Sequence, residues 1–300
     1  MTSLQSSLVL LLAAIIWGFA FVAQRIGMDF IGPFTFNGVR FLLGGVSLIP
    51  LILFYKNKSR AVNPAGRNWK AALRPGLLAG GVLFLAASLQ QIGLLYTTAG
   101  KAAFVTCLYI VLVPIFGLFL RHSLGIVNWV AAVIALVGLY FLCVKEGFSV
   151  SYGDFLELVG AFLWAVHILL IDHFVKKVDA LKLAFLQFVI CGLLSMGTAG
   201  VIEVISLAGL WQAIIPILYG GLCSVGIAYT LQIVGQKKVQ PAHASIILSM
   251  ETVFAAIGGF LILNETLGLR ETLGSALMLT GMLLPQLYNS RVVLAKEELE

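Results

Sequence analysis

Leu89-Gln90-Gln91-Ile92-Gly93 is matched 142 positions later by Leu231-Gln232-Ile233-Val234-Gly235, each inside a long apolar run. Leucine, glutamine and glycine at one spacing in two such runs point to a chain written twice. The match extends outward. In the same register Lys101 pairs with His243 and Tyr109 with Glu251, and at 143 positions Gly125, Ala131 and Gly138 pair with Gly268, Gly274 and Gly281. Toward the N-terminus the interval is 147, pairing Trp17, Arg40 and Phe41 with Trp164, Gln187 and Phe188.

The 300 residues are 60% hydrophobic and 11% charged, with a mean hydropathy of +1.04. Soluble folds carry roughly 25% charged residues, so these charges are too few to cover a water-facing surface. Disordered, collagen-like and coiled-coil compositions fail too, since apolar content is high, glycine has no three-residue period and charged flanks to a heptad seam are missing. The apolar runs are continuous rather than alternating over about 10 residues, which predicts membrane-crossing helices and not a β-barrel. Ten spans are expected, at 7–24, 34–54, 75–95, 100–120, 126–144, 154–171, 181–203, 212–234, 243–263 and 272–289. Met1 to Ser6 carries no basic segment, so the first span is expected to be a retained helix and not a cleaved signal. Cys107, Cys143, Cys191 and Cys223 all lie in apolar runs without a CxxC pair, which predicts packing roles.

The net charge of +6 reports topology and not nucleic acid, because the basic residues lie in the short links between spans. With a cytoplasmic N-terminus, fourteen of the nineteen Lys and Arg residues fall inside: Lys56, Lys58, Arg60, Arg67, Lys70, Arg74, Arg121, Lys176, Lys177, Lys182, Lys237, Lys238, Arg291 and Lys296. The outer links keep Arg25, Lys145 and Arg270, with acidic Asp29, Glu146, Asp154, Glu157, Glu203 and Glu271. The positive-inside rule then sets both termini in the cytoplasm. Five spans per copy force the second copy to enter from the opposite side. The expected fold is an all-α integral membrane protein of ten transmembrane helices in two inverted five-helix repeats: 1–146, then 147–291, with a cytoplasmic tail at 292–300. Inverted repeats let two equivalent halves exchange conformations about a site near the midplane, the architecture of a transporter. A duplicated bundle serving only as a scaffold is the plainer alternative.

Trp17-Gly18 with Phe21 and Arg25, the stretch from Pro33 to Arg40-Phe41, Thr98-Ala99-Gly100-Lys101-Ala102-Ala103, and Glu251-Thr252-Val253-Phe254-Ala255 leading to Leu263-Asn264-Glu265-Thr266-Leu267 are motifs in a fixed order. Together with ten spans and a duplication, they make the chain resemble the two EamA repeats of the drug/metabolite transporter superfamily over nearly its whole length. Here Glu251-Thr252 stands where that family often has Glu-Pro, Asn264-Glu265 where it has Gly-Glu, and Arg121-His122-Ser123 carries no acid at the matching place. The resemblance implies outward transport of small metabolites, amino acids or related amphipathic compounds, across the plasma or inner membrane. It also admits a homodimer along the fifth and tenth helices. No cofactor, metal or nucleic-acid partner is expected.

Glu251 falls near the middle of the ninth span, where a carboxylate costs at least about 2.5 kcal/mol unless it faces a cavity or a partner. It is the candidate proton-coupling group, able to alternate between protonated and ionised forms; a structural acid satisfied by backbone or by Lys101 is the alternative. Tyr109, its counterpart, offers hydrogen bonding without charge. Arg40 either snorkels to the interface or reaches inward, where its guanidinium suits an anion. Trp17 and Trp164 stand mid-helix, away from an interfacial belt, as cavity walls or core packing. Gln90 and Gln232 are expected to face the interior, since unpaired amides are costly in lipid. His167 can share the Trp164 face as ligand or as a bonded core residue. Lys101 and His243 are a candidate pair of gates at opposite mouths, or interfacial residues. Thr98 to Ala102 is no phosphate loop, because Ala102 replaces the metal-binding hydroxyl and Leu95 the first glycine, and HExxH, GxSxG and Cys/His clusters are missing. A transporter is therefore favoured over an embedded enzyme, a partner-dependent scaffold or a passive channel.

Overall fold

Hydroxyl or carboxylate side chains cap the starts of several helices, and the membrane-length apolar runs set the extent of the long ones. The computed structural model describes residues 3–58, 69–119, 126–143, 150–239 and 241–297. Arg60, Arg67, Arg121 to Gly125, Lys145 and Glu146, together with the boundary between 146 and 147, lie outside the described residues.

In chain order the helices are α1 (Ser3–Gly27), α2 (Pro33–Ser47), α3 (Ile49–Lys58), α4 (Trp69–Gly93), α5 (Ala99–Thr106), α6 (Tyr109–Phe119) and α7 (Ile126–Cys143). Then follow α8 (Tyr152–Val175), α9 (Ala180–Ile202), α10 (Leu207–Gln212), α11 (Ile214–Leu218), a π-helix (Tyr219–Tyr229), α12 (Thr230–Gly235), α13 (Pro241–Leu248), α14 (Glu251–Leu263) and α15 (Leu269–Glu297). No strand occurs among the described residues. Helix lies at each of the ten expected spans, and six segments are long and apolar enough to cross a membrane: Gln5–Gly27, Pro33–Phe54, Trp69–Gly93, Tyr152–Val175, Ala180–Ile202 and Ile214–Gly235. Sequence reading gave the fourth and ninth spans as single helices. Each is instead two short helices, α5 with α6 and α13 with α14.

Local chemistry fixes the helix starts. Ser151 accepts from the Asp154 N–H to begin α8, Asp179 accepts from Leu181 and Lys182 to begin α9, and Ser206 accepts from Gly209 to begin α10. Pro33 starts α2 behind an extended Gly32 that has no capping side chain. α14 stops at Asn264, whose φ of 54° is left-handed, a conformation asparagine tolerates better than most residues.

The two halves pack by exchange. α1 lies on α14 as α8 lies on α6; α2 meets the π-helix as α9 meets α4; α1 touches the π-helix and α12 as α8 touches α4. α2 with α9, and α7 with α15, pair equivalent helices across the centre. The last seam depends on small residues: a Cβ on Gly138 would stand 2.6 Å from the Gly274 carbonyl, and one on Gly281 would stand 2.7 Å from that of Ala131. Large apolar side chains such as Leu53, Phe54, Leu193, Phe260 and Leu261 are exposed on the outside. Gln24, Asn37, Arg40, Gln90, Gln91, Gln187, Gln232 and Glu251 are buried. Apolar groups out and amides in is the arrangement a lipid solvent favours.

Candidate functional site

The two broken helices come apart at equivalent residues. In the first, Leu108, Ile110 and Val111 donate to the carbonyls of Val105, Cys107 and Leu108; in the second, Met250, Thr252 and Val253 donate to those of Ile247, Ser249 and Met250. Each donor reaches back three residues instead of four, which tightens the turn and interrupts the α-ladder. The second half-helices therefore begin at Tyr109 and at Glu251. The Tyr109 hydroxyl donates to Glu251 Oε1 at 3.0 Å, so the repeat-equivalent residues touch. Cys107 Sγ lies 3.3 Å from the same oxygen and 3.7 Å from the Ser249 carbonyl, so this cysteine, packed in the core as expected, also touches Glu251. Glu251 is 5% exposed and does not meet Lys101.

Tyr109 and Glu251 border a central pocket whose empty space, the part open to solvent included, is about 460 Å³. Trp17, Arg40, Gln90, Tyr109, Trp164, Gln232 and Glu251 all line it, so seven candidates scattered from the first span to the ninth converge at one place. Four repeat-equivalent pairs contribute: Trp17 with Trp164, Phe21 with Ile168, Gln90 with Gln232, and Tyr109 with Glu251. Sequence reading missed Phe21, Gln24, Ile168, Ser224, Tyr229 and Leu248. Phe21 and Ile168 were within reach, each one turn beyond its tryptophan on the same face.

Tyr229, at the end of the π-helix, is the centre of the aromatic wall. Trp17 meets it edge-on at 4.6 Å, Trp164 is stacked at 6.2 Å, and Phe41, Phe188 and His167 surround it at 5.8 to 6.4 Å. Trp17 Nε1 donates to the Ser224 carbonyl at 3.3 Å, tying α1 to the π-helix. His167 stands behind the wall and does not line it: its Nε2 is 2.9 Å from Gln187 Oε1, and its ring meets that of Trp164 edge-on. Gln90 donates to Gln24 Oε1 at 3.2 Å, while Trp164 Nε1 and Gln232 Oε1 are buried with no hydrogen-bond partner among the described residues. Arg40 reaches inward; it is 2% exposed, and its Nε donates to Asn37 Oδ1 at 2.9 Å.

One end of the molecule is fastened by acids of the second half. Glu203 accepts from the N–H groups of Phe34 and Thr35 at 2.8 Å each, and from the Thr35 hydroxyl at 2.7 Å, supplying the cap that Gly32 lacks. Glu265, aimed by the Asn264 turn, accepts from the N–H groups of Ala99 and Gly100 at 2.9 and 3.2 Å. Lys101 forms a 2.7 Å ion pair with Asp154, which also accepts from Thr97, and Thr106 donates to Glu157. Asp154 and Glu157 are thus buried in the first turns of α8 and do not sit in a solvated link. His243 lies in α13, but its side chain is outside the described part of the structure.

The model of the EamA-like transporter family matches residues 5–144 and again residues 151–285. The chain belongs to the EamA-like transporter family. Both copies carry the helix broken at the equivalent residue, so the family repeat and the structural repeat coincide. Among relatives, an uncharacterized transporter of Archaeoglobus fulgidus is 29% identical over 95% of this chain and 86% of its own length. The uncharacterized transporter YoaV of Bacillus subtilis is 25% identical, covering 92% of this chain and 95% of its own. The uncharacterized inner membrane transporter YedA of Escherichia coli is 28% identical, with 90% and 87% covered. A solved crystal structure aligns over 96% of this chain and 98% of that one with a TM-score of 0.71 at 18% identity, a likeness of fold. By family, this EamA-like protein is a multi-pass membrane transporter.

Proposed function

We propose that the chain is a secondary transporter of the plasma (inner) membrane that exports small metabolites, amino acids or related amphipathic compounds, by alternating access. In this reading ten helices cross the bilayer as two inverted repeats with both termini in the cytoplasm, and the acid-fastened end faces outward. The observation that carries it is the contact of Tyr109 with Glu251 at the two helix breaks, on a cavity lined by pairs of equivalent residues. Broken helices meeting at a central site are how transporters place irregular backbone where it lines a cavity. Glu251 is the group assigned to proton coupling, as the one carboxylate among the described cavity-lining residues. Lys101, paired with Asp154, belongs to the outer fastening, with His243 assigned to the opposite mouth. A homodimer would use the outer faces of α7 and α15, because their small-residue seam is occupied within the chain.

The test is counterflow in proteoliposomes preloaded with a mixture of unlabelled amino acids, each then offered labelled, with and without a pH gradient. Transient accumulation of a label is the expected result and requires a carrier. Equilibration without overshoot indicates a channel-like permease. No uptake of any label by folded protein excludes amino acids as the cargo.

A further inference from the structure

Arg40 is the cavity charge whose position the fold does not explain. Among the described residues three ion pairs form, Arg25 with Asp29, Lys101 with Asp154 and Lys176 with Asp172, and Arg40 is in none of them. Its Nε is held by the neutral Asn37 amide, which is itself fixed by donating to the Ala87 carbonyl at 3.0 Å. Phe41 and Phe36 lie over the guanidinium at 4.8 and 5.6 Å. Rings on its faces and a neutral acceptor at Nε leave the edge with the two terminal nitrogens, for which no acceptor is found among the described residues. Guanidinium does not shed its proton to escape burial, and an uncompensated buried charge is strongly destabilising.

The repeat supplies the control. At the equivalent position the second half carries Gln187, neutral and bonded to His167, and there the same kind of helix seam forms without any cation. Gly220 makes room for the arginine stem, since a Cβ there would come within 3.3 Å of Arg40 Cδ. The cost of the charge is therefore accepted on one side of the cavity only.

Resting on the cavity being the transport site, we infer that Arg40 is an anion subsite that takes a single carboxylate of the substrate, edge-on to its fork, with the apolar body against Trp17 and Tyr229. A planar carboxylate matches two parallel N–H groups, and the unpartnered Trp164 Nε1 offers a further donor in the same cavity. One unpaired cation neutralises one negative charge. A phosphate monoester would bring a second into a cavity that already holds the Glu251 carboxyl.

The experiment uses purified full-length protein in nanodiscs, titrated by tryptophan fluorescence with matched pairs: hexanoate and hexanamide, phenylpropionate and phenylpropionamide, N-acetylphenylalanine and its amide, and phenyl phosphate. At least one acid is expected to bind about tenfold or more tightly than its own amide, the scale of a charge-assisted hydrogen bond. Arg40→Gln should shrink that preference below about twofold, and Arg40→Lys, which keeps the charge without the fork, should leave an intermediate value. Acids and amides binding alike, or neither binding, in the unaltered protein overturns the subsite even if no Arg40 variant folds; so does an unchanged preference in folded Arg40→Gln. Tighter binding of phenyl phosphate than of every carboxylate overturns the assigned class. Acid-selective binding without counterflow of the bound acid defeats the transport reading and leaves the subsite standing, whereas counterflow of amides as fast as acids does the reverse.

Discussion

Tyr109 and Glu251 are the same position of two repeats, and the hydroxyl of one donates to the carboxylate of the other at 3.0 Å. Two equivalent residues can touch only beside the axis that relates their halves. A phenol facing an acid across that axis makes the cavity chemically lopsided while the backbone around it stays paired.

Replacing Glu251 by Gln keeps an acceptor for Tyr109 and removes the exchangeable proton. Counterflow is expected to continue, while accumulation driven by a pH gradient falls to background; unchanged gradient-driven accumulation in proteoliposomes would remove Glu251 from coupling. Tyr109→Phe takes away the donor and should cost about 1 to 3 kcal/mol, read as a lower melting temperature than that of Glu251→Gln.

The Tyr229 ring is central to the wall, yet its hydroxyl makes no hydrogen bond among the described residues. Tyr229→Phe should therefore stay within about 1 kcal/mol of the parent, whereas Tyr229→Ala should lose about 3 to 5 kcal/mol by opening a hole among five rings. Equal losses in the two variants, measured by thermal unfolding in detergent, would contradict a packing role for the ring.

Asp154→Asn leaves Lys101 buried and uncompensated, for an expected cost of about 3 to 5 kcal/mol. Adding Lys101→Met should recover much of that loss. Additive losses in the double-mutant cycle would show that the 2.7 Å pair carries no coupling.

A larger residue at Gly138 cannot be seated without parting α7 from α15, because the nearest obstruction is backbone. Gly138→Val should cost about 1 to 3 kcal/mol, and Gly197→Val, where nothing stands within 4 Å, should cost little of it.

The all-helical architecture, the duplication and seven cavity residues were legible because apolar length and repeat spacing are written directly in residue order. The breaks at Cys107-Leu108 and Ser249-Met250 were not, since neither turn contains proline or glycine to mark it. At the second break Thr252 Oγ1 donates to the Ser249 carbonyl within the same turn, and Cys107 of the other half faces that carbonyl, a contact that residue order does not display. Tyr229 was missed for a similar reason. Its span reads as an ordinary apolar helix, and the π-helical winding from Tyr219 to Tyr229 that turns the ring toward Trp17 arises from packing against α2, where Gly44 and Gly221 let the backbones close. Lys101 looked like an interfacial lysine until Asp154 was placed beside it by a helix some fifty residues away.

Glu203, Glu265 and Asp154 grip the first half at a single end, and among the described residues the opposite end has no such carboxylate crossing between halves. On the alternating-access reading proposed above, the mouth held by these contacts is the one that must break polar bonds between the halves in order to open.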